Sequence, residues 1–117
     1  MSQQPLPFDV PAPVWYARMH AEQFTEEFMA YIEPNLHVYT AFEREALAIA
    51  RRRPHYSART IVEVLRHNSA LQEVGGQFKL SDWHTPYLAR LFVLIHPQHV
   101  DLFEFRITKP QRERATA

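Results

Sequence analysis

The chain predicts a mainly α fold with one small β-hairpin, a compact helical domain on a winged-helix or helix-turn-helix-like plan. Three observations carry that prediction. Apolar residues recur at helical spacing in four segments, Pro, Ser, Thr and Asn residues punctuate those segments, and Gly75-Gly76 precedes a short stretch of period-two alternation. The length of 117 residues with 46% hydrophobic and 22% charged side chains fits one globular domain that buries its own core.

Residues 1–13 carry Pro5, Pro7, Pro11 and Pro13, which remove amide donors and bias their predecessors to extended geometry, so an extended proline-rich arm is expected there. A single domain spans 14–107, and residues 108–117 form a polar tail. From Val14 to Ile32 the positions Trp15, Phe24, Phe28, Tyr31 and Ile32 predict a first amphipathic helix that ends before Pro34. Asn35 is placed to cap a second helix over 36–52, whose stripe of Tyr39, Phe42, Ala46, Ile49 and Ala50 runs into Arg51, Arg52 and Arg53. Pro54 stops it. Ser57 is placed to cap a third helix that buries Ile61, Val62 and Leu65. Val74, Phe78 and Leu80 after the glycine pair predict a ribbon near 74–82. Thr85-Pro86 reads as N-cap and first helical position of a fourth helix with Tyr87, Leu88, Leu91, Phe92 and Ile95 on its apolar face. Pro97 opens one further turn carrying Val100, Leu102 and Phe103.

Composition removes several function classes. Two glycines leave no phosphate-cradling loop, and the absence of cysteine excludes a disulfide framework, a thiolate zinc site and a cysteine nucleophile. No apolar run approaches the roughly 20 residues of a membrane span. The first 13 residues lack the basic and apolar regions of a secretory signal, so a cytoplasmic location and no membrane partner are expected. Net charge is zero but polarised: residues 1–50 hold two basic and seven acidic side chains, a balance of −5, whereas 51–90 hold seven basic and three acidic, a balance of +4.

The basic part predicts a nucleic-acid interface, most simply for DNA. Arg51, Arg52, Arg53 and Arg59 are assigned to phosphates, Arg66 and Asn68 to base edges and Lys79 to backbone from the wing, with Tyr56 and Arg90 completing the set. A competing assignment makes the helix after Thr85 the reader, through His84, Thr85, Tyr87 and Arg90. The bland alternative is a helix C-terminus stabilised by cations beside a solvated surface. Seven histidines invite a metal site, yet His96 and His99 with His84 lack the i, i+4 spacing of a helical zinc pair. Ser81, Asp82 and His84 match a nucleophilic triad only by residue type. No cofactor, metal or catalytic activity is expected. Among the aromatic residues, Tyr56 and Trp83 are the two expected at the surface.

The run His55-Tyr56-Ser57-Ala58-Arg59, then Phe78-Lys79-Leu80, Tyr87-Leu88-Ala89-Arg90-Leu91, His96-Pro97 and Asp101-Leu102-Phe103-Glu104-Phe105-Arg106 resembles small proteins encoded in bacteriophage and prophage regions, over about residues 35–106. Where those proteins carry an asparagine-rich turn, this chain has Ser81-Asp82-Trp83-His84. The resemblance implies a mobile-element context and no mechanism. Taken together, the expectation is a non-catalytic DNA-binding accessory or regulatory protein of phage or prophage origin, with a second copy of the chain, as a homodimer, among its expected partners. The alternative is a phage-encoded inhibitor or adaptor whose acidic half, with Glu22, Glu26, Glu27 and Glu33, engages a host protein.

Overall fold

A computed structural model describes residues 10–67 and 82–104. Five α-helices are present there: α1 Ala12–Met19, α2 Glu26–Ile32, α3 Leu36–Ala50, α4 Ala58–Arg66 and α5 Thr85–Ile95. Three 3₁₀ turns join them, at Ala21–Gln23, Asp82–His84 and Pro97–His99. α5 packs against α1, α3 and α4 and forms the axis of the molecule. Its buried residues, Tyr87, Leu88, Ala89, Leu91 and Phe92, meet Phe28 and Ile32 of α2, Val38 and Phe42 of α3, and Ile61, Val62 and Leu65 of α4 in one core cluster.

The predicted hairpin and the winged-helix or helix-turn-helix-like plan are overturned. Every element among the described residues is helical, and no strand occurs among them. Asp82, the last residue of the predicted ribbon, opens a 3₁₀ turn instead, while residues 68–81 lie outside the described residues. The physical reason is local. Alternation over three apolar residues is a weak strand signal, and the following Trp83 and His84 are drawn into helical geometry by His84 stacking on Tyr31 and Trp83 packing edge to face on Tyr87.

Two further boundaries differ from expectation. α1 starts at Ala12, inside the segment read as an arm, because Pro13 falls in the first turn, where no amide partner is required. The helix expected over 14–32 is two helices. His20 leaves helical geometry at φ −123° and ψ 39°, Phe24 is extended, and Thr25 caps α2 by accepting from the Phe28 amide at 3.2 Å. This turn stacks Phe24 on Phe28 at 5.3 Å between ring centroids. Asn35 occupies the N-cap position of α3, but its side-chain Nδ2 donates to the Tyr31 carbonyl at 2.8 Å and so closes α2. Ser57 caps α4 as expected, accepting from the Thr60 amide at 3.3 Å. α5 begins at Thr85 with Pro86 in its first turn, one residue earlier than the capping pattern predicts.

Candidate nucleic-acid interface

The connector between α3 and α4 gathers most of the predicted phosphate contacts. Arg51, Arg52 and Arg53 follow the last turn of α3 and are exposed, with the Arg52 and Arg53 amides both donating to the Ile49 carbonyl at 2.9 Å. Cations there complement the helix dipole. Arg59, exposed on the first turn of α4, lies where the dipole instead favours anions. No Asp or Glu occurs between Glu45 and Glu63, so four guanidiniums border this connector without an acid from its own segment. Tyr56 is half-buried beneath the Arg53 guanidinium, 5.7 Å from the ring centroid.

The connector is fixed by the turn after α5. His55 Nδ1 lies 2.9 Å from the Asp101 carbonyl, and the Tyr56 amide donates to the Leu102 carbonyl at 2.8 Å. Between the two segments is a cavity of about 190 Å³, with Ala50, Arg53 and Pro54 on one wall and Gln98, His99, Asp101 and Leu102 on the other. Sequence reasoning missed this second wall. The bonds join residues 46 apart in the chain, and no periodicity reports such a pairing.

The remaining predicted residues stand elsewhere. Arg66 donates to Glu63 Oε1 at 3.1 Å and lies near His84. Seven residues of helix separate it from Arg59, roughly 10 Å of axial rise. Arg90 is half-buried beside Tyr87, and desolvation lowers its guanidinium from its ordinary value. Asn68 and Lys79 lie outside the described residues. The alternative reader, the start of α5, is turned inward: His84, Thr85 and Tyr87 are buried, and the Thr85 hydroxyl is buried without a hydrogen bond. A helix in that state cannot enter a groove.

A second polar cluster ties α3 to the end of α5. Glu43 Oε2 accepts from the Tyr39 hydroxyl at 3.2 Å and sits 2.9 Å from His96 Nε2. Burial, reinforced by Glu43, pushes the Tyr39 phenol well above its usual range. His96 and His99 are 6.4 Å apart between ring centroids, while His84 belongs to the Tyr31 stack. Among the described residues no three His, Cys, Asp or Glu side chains converge as a metal site. Nor is any helix among them long and apolar enough to cross a membrane.

Comparison of the chain with models of protein families, with curated proteins and with solved structures gives no match.

Proposed function

We propose that the chain binds DNA without catalysis, as an accessory or regulatory factor, through the α3–α4 connector. The observation that supports this is the exposed set Arg51, Arg52, Arg53 and Arg59 around a segment that contributes no carboxylate. Helix-end electrostatics account for the first three, and a phosphate backbone accounts for all four. With the start of α5 turned inward, contact is to backbone, and register is set by Tyr56 and the clipped connector. The acidic half supports the protein-binding alternative less well. Glu26 and Glu27 occupy the first turn of α2, where the dipole favours them, and Glu33 pairs with Arg18 at 3.3 Å.

The test is fluorescence anisotropy of a labelled duplex across a salt series. Four phosphate contacts predict a slope of log affinity against log salt of about −3 to −4. The double variant Arg52→Ala/Arg59→Ala removes two exposed side chains, so the fold is retained and the slope becomes shallower by about 2. An absence of binding at low salt, or a variant with the parental slope, rejects the proposal.

A further inference from the structure

The bond that clips the connector to the turn after α5 also fixes the state of the histidine that makes it. A backbone carbonyl offers no proton, so the His55 Nδ1 atom, 2.9 Å from the Asp101 oxygen, carries one and donates. The neutral ring is therefore held as the Nδ1–H tautomer. Its lone pair is on Nε2, across the ring from the bond, and a proton taken up from solvent goes there. The charged ring keeps its bond to the Asp101 carbonyl and strengthens it, since an ionised donor makes the shorter and stronger hydrogen bond. His55 is exposed, and with its Nδ1 edge occupied the Nε2 edge is the one left for solvent or a ligand.

In the chain His55 stands between Arg53 and Arg59, inside the set of cations assigned to phosphate. On its own side Arg51, Arg52, Arg53 and Arg59 repel a positive ring. From the turn after α5, His99 does so too when it is itself protonated, whereas the Asp101 and Glu104 carboxylates attract one. A phosphate drawn to the arginines adds negative charge to this balance, so phosphate binding and proton uptake at Nε2 favour each other, by the reciprocity that any two coupled ligands obey. We infer that His55 is a fifth phosphate ligand of this surface, recruited by protonation at Nε2, and that it makes the chain bind nucleic acid more tightly in mildly acidic than in mildly alkaline solution. The inference rests on the DNA-binding reading above and supplies a regulation of that same surface.

The experiment measures the affinity of one labelled duplex across a salt series at about pH 5.5 and about pH 8, which bracket the range in which imidazole changes charge, for the full chain and for His55→Asn. Asparagine places an amide N–H near the position of Nδ1, so the bond to the Asp101 carbonyl is kept while the titrating nitrogen is removed. At the higher pH the two proteins are expected to bind alike. At the lower pH the parent is expected to bind about five- to tenfold tighter than the variant near 0.1 M salt, with a slope of log affinity against log salt steeper by about 0.9, the share of one added phosphate contact. The other histidines, His84 and His99 among them, are common to both proteins, so the difference between the two reads His55 alone. A pH dependence equal in parent and variant overturns the role of His55 while leaving the arginine surface standing. A variant weakened by the same factor at both pH values overturns it as well, because His55 is then a staple of the connector and not a ligand. Failure of the parent to bind the duplex at low salt at either pH overturns the surface and the inference together.

Discussion

His84 is only 4% exposed, with its ring centroid 3.8 Å from that of Tyr31 and 3.9 Å from that of Trp83. Burial, helped by the nearby Arg66 charge, lowers its pKa from 6.5 to about 4. The folded state therefore resists a proton that the unfolded chain accepts. Above pH 6.5 both states are neutral at this site and stability is flat. Between pH 6.5 and about 4 the unfolded state binds more protons, so stability falls as pH falls, by an amount on the order of 3 kcal/mol. Below about 4 the loss levels off. Urea unfolding midpoints measured across that range are expected to decline in the parent and to decline less in His84→Phe, which keeps the stacked ring and removes the titration. Equal slopes in the two proteins would place the acid sensitivity at other groups. The neighbouring Tyr31 phenol, pushed up to about 12 by burial, plays no part below alkaline pH. The aromatic expectations at this scale were half legible: Trp83 is 46% exposed, yet Tyr56 is partly covered by Arg53, a contact that only the folded connector creates.

Among the elements, α2 and α4 differ in what their caps also hold. Ser57 is exposed and caps α4 through one bond to Thr60. Thr25 caps α2 through Phe28 and also hydrogen-bonds the Tyr87 side chain, joining α2 to α5. Ser57→Ala is expected to cost about 1 kcal/mol, and Thr25→Ala about 2 kcal/mol, because the second leaves a buried phenol short of a partner. Thermal denaturation of both variants checks the order, and a Thr25→Ala loss no larger than that of Ser57→Ala would remove the inter-helix role. The boundaries of α3, α4 and α5 were legible because Pro34, Pro54, Ser57 and Pro97 constrain backbone directly. The break between α1 and α2 was not. It depends on Thr25 choosing capping geometry inside a stretch whose apolar spacing also suits a continuous helix. Asn35 holds the N-cap position read for it, but its side chain closes α2 instead of capping α3, since it reaches an i−4 carbonyl as readily as a following amide.

For the molecule as a whole, the burial of α5 decides where function can reside. A central helix packed on three others leaves the outer connector as the place where charge and backbone reach solvent, so the arginine pattern was readable from sequence while the facing wall at 98–102 was not. Phe92 joins these two parts. It packs against Phe42 and Phe103, 6.4 and 5.7 Å away between centroids, and supports the His99 ring at the cavity wall. Phe92→Ala is expected to cost about 3–5 kcal/mol from transfer and cavity formation. Against a total stability of roughly 5–15 kcal/mol, that removes much of the margin of the domain. Phe92→Leu conserves most of the volume and is expected to cost less than about 1.5 kcal/mol. At the site the two are alike, because neither side chain restores a flat surface beneath His99. Urea unfolding followed by circular dichroism is expected to show a large drop in midpoint for Phe92→Ala and a small one for Phe92→Leu. The folded Phe92→Leu protein should keep its salt-dependent duplex binding. A Phe92→Ala protein destabilised by less than about 1 kcal/mol would show that α5 is not the axis on which the other helices depend.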